Sequence, residues 1–153
     1  LVTPAAFDTF LAGNDTALNA GAKRGLRAFI DTGCTACHNG PLLGGTQFHK
    51  FGVTRDYWLE TKSDTIDAGR MANSKKDEDR YVFRVAMLRN IARTAPYFHD
   101  GSVAKLEDAV RIMALVQLGR TLEPAVVADI VAFLESLTGA IPVNYAPPGQ
   151  KPF

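Results

Sequence analysis

The chain has 153 residues, 46% hydrophobic and 22% charged, the proportions of a folded domain and too apolar for a disordered one. Its net charge of +1 excludes a nucleic-acid binder or a polybasic membrane module held by charge alone. No apolar run approaches the ~20 residues of a membrane span, and two cysteines cannot form a disulfide scaffold. The length predicts one domain over residues 1–153. The first residue is Leu1, with no basic segment and no apolar segment after it, so no signal peptide is expected there. The sequence reads as mature, trimmed, or cut from something longer.

In chain order, residues 4–12 read as a short helix, with Thr3 as N-cap and Pro4 at the first helical position. Residues 21–31 read as a second helix. Asn19 is its cap, Leu26, Phe29 and Ile30 its apolar stripe, and Gly33 its stop. Residues 39–80 show weak periodicity: an ordered glycine-containing loop and a strand pair near residues 51–59, then a mobile loop excursion over 54–80 whose polar stretch is 62–80. A loop of that length needs something other than secondary structure to hold it. Residues 86–93 read as a short helix. Residues 105–116 form an amphipathic one, with Leu106, Ala109, Val110 and Met113 on one side. Residues 124–137 carry the strongest helical period, through Val127, Ile130, Val131 and Leu134. Glu123 and Pro124 open that helix and Gly139 closes it. Residues 140–153 contain four prolines and read as an extended tail.

Both cysteines lie in Cys34-Thr35-Ala36-Cys37-His38. C-x-x-C-H is the attachment pattern of c-type haem. Two thiols reach the two vinyl groups of one porphyrin edge as thioethers, and the adjacent imidazole binds iron. A zinc site would want further thiols or histidines, and only His49 and His99 remain, without ligand spacing. A redox C-x-x-C would follow a strand in a βαβ unit, whereas here a helix precedes it. Gly25 and Phe29 precede the motif, and Phe133 lies on the last helix. A small residue facing an aromatic lets two helices cross closely, as in the cytochrome c superfamily. The expected fold is therefore all-α and cytochrome c-like, wrapped around one covalent haem c.

His38 supplies one axial bond. The other face takes Met, His, Tyr or Lys, or stays open. Met71 sits in the polar stretch and reads as exposed, and Met87 reads as core packing. Met113, on the inner stripe of its helix, is as much core filling as ligand on the residues alone. Methionine ligation raises the potential and suits electron transfer, whereas an open position suits peroxide chemistry. His49 reads as a loop cap, His99 as closing a turn at Asp100-Gly101, and Trp58 as loop packing.

Longer stretches carry a family resemblance. Phe7 to Gly13 (FDTFLAG), Gly33 to Gly45 (GCTACHNGPLLGG), Leu88 to Val103 (LRNIARTAPYFHDGSV), the segment from Leu106 through Met113 to Gly119, and Asp129 to Gly139 (DIVAFLESLTG) resemble the C-terminal half of the bacterial di-haem cytochrome c peroxidases. Roughly residues 54–80 lie outside the match. The resemblance implies the high-potential, electron-transferring haem, with His38 and Met113 as its ligands and Cys34 and Cys37 as its tethers. It implies backbone carbonyls of Thr94 and Pro96 as part of a calcium site shared with a preceding domain. It further implies an N-terminal peroxidatic haem domain as partner, a small cytochrome c or cupredoxin as donor, a homodimer in the whole enzyme, and the periplasm as compartment. No nucleic acid and no membrane span are expected. A related branch that matures a tryptophan-derived quinone carries tyrosine at the position of Met113. Arg89 and Arg93 either pair with haem propionates or face solvent. The rival reading is a stand-alone mono-haem electron carrier.

Overall fold

A computed structural model describes residues 3–141. The helices are α1 (Ala6–Leu11), α2 (Ala20–Thr32), α3 (Tyr57–Thr61), α4 (Met71–Ser74), α5 (Leu106–Leu118) and α6 (Pro124–Glu135). Two three-residue strands, β1 (Phe48–Lys50) and β2 (Val82–Arg84), pair antiparallel, with His49 opposite Phe83. The fold is thus helix-dominated, as expected, with one small two-stranded ribbon. Most of the tail expected at 140–153 lies outside the described residues. No helix among the described residues is long and apolar enough to cross a membrane.

The principal contact is the crossing of α2 and α6. Asn19 Oδ1 accepts the Ala22 amide at 2.8 Å and starts α2. Gly33, at φ 102°, ends it by returning its amide to Ile30 and Phe29, the left-handed C-terminal stop. Midway along, a Cβ on Gly25 would lie 1.8 Å from the Asp129 carbonyl oxygen, so only glycine admits α6 at this distance. Arg24 clips the exposed side of the crossing with two hydrogen bonds to Asp129, at 2.8 and 2.7 Å. Phe133 of α6 is 0% exposed. It meets Phe29 of α2 and Phe7 of α1, each at 5.3 Å between ring centres.

α1 begins at Ala6 rather than Pro4. The Ala5 amide finds the Asp8 carboxylate at 2.8 Å, so Asp8, not Thr3, secures the helix start. Gly139 does not close α6, whose cap is Ser136. It bridges to Ala5 and donates its amide to Asn90 Oδ1 at 2.9 Å.

A second core forms around Phe51, Tyr57, Tyr97, Ile112 and Val116. Ile91 and Leu106 pack against both cores. The strand pair expected near residues 51–59 is absent. Tyr57, fully buried, starts α3 and stacks on Phe51 at 4.6 Å. The strands lie on either side, at 48–50 and 82–84. The short helix expected at 86–93 is a 3-10 turn at Ile91–Arg93 only. The preceding backbone is spent on the loop after the cysteines, with Gly45 N donating to Val85 O and Leu88 N to Leu42 O. The excursion expected over 54–80 is folded. Besides α3 and α4 it holds a 3-10 turn at Asp77–Asp79. The Asp67 amide reaches the Tyr57 hydroxyl at 3.0 Å, and Arg70 pairs with the buried Asp79. Trp58 packs on Tyr57 and Tyr81 as loop packing.

The Gly25 contact makes opposite predictions for two glycines on one helix. Gly25→Ala gains ~1 kcal/mol of helix propensity but drives a methyl into backbone, so a net loss of about 2 kcal/mol is expected. At Gly21 a Cβ would meet nothing nearer than 3.4 Å, so Gly21→Ala should stabilise by up to about 1 kcal/mol. Urea midpoints at unchanged slope test both.

Candidate haem site

The end of α2 delivers the cysteines. Gly33 turns the chain into a 3-10 turn at Cys34–Ala36, and the His38 amide returns to the Cys34 carbonyl at 2.9 Å. Both thiols are free and half-buried. Burial pushes the Cys34 thiol up to about 11. A redox C-x-x-C needs a thiolate at ambient pH, and this environment opposes one.

His38 is held from behind. Its Nδ1 lies 3.3 Å from the Leu43 carbonyl, and the Ala86 carbonyl also bonds the ring. A carbonyl can only accept, so the Leu43 contact puts the proton on Nδ1 and leaves Nε2 with the lone pair. Burial holds the imidazole pKa below its ordinary value, so the ring is neutral, the form that ligates metal. The cradle depends on Gly44. At φ 126°, a Cβ there would stand 2.2 Å from the Ala86 oxygen and 3.3 Å from His38 Nδ1.

A cavity of about 280 Å³ opens beside His38, walled chiefly by Phe7, Leu26, Phe29, Leu43 and Phe133. An apolar slot next to two thiols and a neutral, oriented imidazole fits a covalently held porphyrin. Among the described residues no three His, Cys, Asp or Glu side chains gather as a metal site, so the zinc alternative finds no further ligands.

The other predicted residues scatter as follows. Met113 is half-buried on α5, against the second core, while His38 stands beside the first. Met87 is not core packing: it is 46% exposed and lies across Gly45. Met71, expected to be exposed, is half-buried on α4. His49 does not cap a loop: it lies exposed on β1, its Nε2 2.8 Å from Gln47 Oε1. His99 does not close the Asp100 turn. It stacks on Phe83 at 4.2 Å, and Ser63 and Ser102 take the Asp100 carboxylate instead. Thr94 and Pro96 are exposed, just past the Ile91–Arg93 turn, and the Thr94 hydroxyl donates to Ile91 O.

Arg89 corrects the sequence reading most. It does not face solvent, and it lines the cavity beside His38. Its side chain is 8% exposed. It forks onto Asp8 at 2.8 and 2.5 Å and donates Nε to the Pro41 carbonyl at 3.1 Å. Arg93 is exposed. No local signal pairs Asp8 with Arg89, which are 81 residues apart.

No protein-family model matches the chain. Among curated proteins, the cytochrome c551 peroxidase of Pseudomonas aeruginosa is 51% identical over 93% of this chain and 41% of its own length. The cytochrome c551 peroxidase of Nitrosomonas europaea is 48% identical over 93% and 42%. The cytochrome c peroxidase of Escherichia coli is 43% identical over 91% and 30%. The chain therefore spans less than half the length of these relatives. Among solved structures, a MauG-like protein associated with microbial copper homeostasis superposes with a TM-score of 0.72 at 25% identity, over 91% of this chain and 49% of that one. A di-haem peroxidase variant from Burkholderia thailandensis superposes at 0.63 and 23% identity over 86% and 45%, a likeness of fold. The chain is thus a relative of the bacterial cytochrome c peroxidases and matches the C-terminal domain of the di-haem enzymes.

Proposed function

We propose that this chain is the electron-transferring haem c domain of a di-haem cytochrome c peroxidase, relaying electrons from a small redox donor to a peroxidatic haem that reduces hydrogen peroxide to water. The observation that carries this reading is the oriented, neutral His38 beside an apolar cavity, directly after Cys34 and Cys37, in a chain 51% identical to a cytochrome c551 peroxidase. Bound haem supplies one-electron exchange between ferric and ferrous iron. Cys34 and Cys37 would tether it, and His38 Nε2 and the Met113 thioether, a soft donor that favours ferrous iron, would hold its iron. The aromatic wall of Phe7, Phe29 and Phe133 excludes water and lowers the local dielectric.

The same reading assigns a preceding peroxidatic haem domain as partner and a small cytochrome c or cupredoxin as donor. It assigns a homodimer for the whole enzyme. Calcium would sit between the domains on the carbonyls of Thr94 and Pro96. The compartment is the periplasm, because thiols are joined to haem outside the bacterial cytoplasmic membrane.

Two outcomes are expected. The denatured protein should exceed its polypeptide mass by one haem, and acid–acetone should leave the colour on the chain; a colour that extracts refutes the tether. The ferric protein should show the near-infrared charge-transfer band of methionine ligation. Met113→His should abolish the band and lower the potential, and Met87→Leu should leave both unchanged. Retention of the band in Met113→His would show that another residue is the ligand.

A further inference from the structure

We propose that Arg89 is a positioning residue for His38: its clamp on Asp8 and Pro41 fixes the loop whose Leu43 carbonyl accepts the His38 Nδ1 proton. The inference rests on the haem reading of the cavity and deepens it. Three donors of one buried guanidinium are committed. Two run to the Asp8 carboxylate, at 2.8 and 2.5 Å, and the third runs to the Pro41 carbonyl at 3.1 Å. The guanidinium also lies over the Phe7 ring at 5.8 Å. Asp8 is itself fixed, because it accepts the Ala5 amide at 2.8 Å and begins α1. The fork therefore anchors Pro41 to a helix start.

Pro41 stands two residues before the acceptor in a closed turn. Leu43 N donates to Gly40 O and Gly44 N to Asn39 O, at 3.0 and 2.9 Å, while Leu88 N holds Leu42 O at 3.2 Å. The turn cannot move at Pro41 without displacing the Leu43 carbonyl. A hydrogen bond to the rear nitrogen of a ligating imidazole sets its orientation and raises its basicity. Arg89 thus acts on the axial ligand from two residues' remove, without touching it.

The test uses the haem-loaded chain. In Asp8→Asn and Arg89→Met the His38 Nδ1 proton, followed by proton NMR, should exchange with solvent about fivefold faster or more, the factor that corresponds to a weakened hydrogen bond of about 1 kcal/mol. The midpoint potential should rise, because a less basic imidazole favours ferric iron less. Arg89→Lys, which keeps the charge but cannot fork, should move both in the same direction. Arg24→Met, which breaks the exposed pair on the α2–α6 crossing, should move neither. Unchanged exchange and potential in a folded Asp8→Asn or Arg89→Met protein overturn the proposal. So does an equal shift in Arg24→Met, which would reduce Arg89 to general stabilisation. If Arg89→Met fails to fold, the near-isosteric Asp8→Asn decides. Wild-type protein without covalent haem refutes the haem reading itself, and is told apart by its mass before any variant is compared.

Discussion

The approach of α6 to the backbone of α2 at Gly25 is the constraint on which the remainder rests. It brings Phe133 against Phe29 and Phe7 and so fixes one wall of the cavity. It also fixes the direction in which α2 ends. The cysteines leave that end through Gly33 after a single turn. Rotating α2 would carry the thiols, the imidazole and Phe29 together, away from Phe7 and Phe133. Replacing one aromatic would reshape only the wall. The crossing is a backbone contact, so side-chain repacking cannot relax it.

Around that frame the site is assembled from segments with almost no regular structure. The loop after His38 is held by main-chain bonds to residues 85–88 and by the Arg89 side chain. The Met113 side is assembled separately, on a helix that packs against another core. Ile91 and Leu106 pack against both. The two axial candidates are thus carried by different substructures. A change in one core can reach the opposite ligand through that shared seam or along α5 itself, whose Val110 packs against the first core.

What could be read from the residues was local chemistry. Asn19 and Gly33 bound α2 where their capping preferences place them. Gly25, Phe29 and Phe133 announced a close crossing. C-x-x-C-H announced its cofactor by spacing alone. What could not be read was set by distant partners. Residues 82–88 pair with residues 42–50 instead of coiling, because the haem-motif loop offers them main-chain bonds that local propensity does not see. Tyr57 starts a helix because a ring cluster buries it, although its aromatic neighbours suit a strand. Asp8 and Arg89 meet across most of the chain. Met87, in an apolar run that suggests a core, is turned outward over a glycine.

The crowding at Gly44 bears on how such a protein can evolve. Every amino-acid replacement reachable from a glycine codon by one nucleotide change introduces a Cβ. At this residue a Cβ meets both a forbidding φ of 126° and the Ala86 oxygen at 2.2 Å. No single step leads away from glycine without moving the carbonyls behind His38. Variation in the surroundings of the His38 imidazole is therefore left to neighbours that carry side chains to exchange, among them the arginine, the aspartate and the turn they hold. The position is a fixed point in sequence space, and adjustment happens around it.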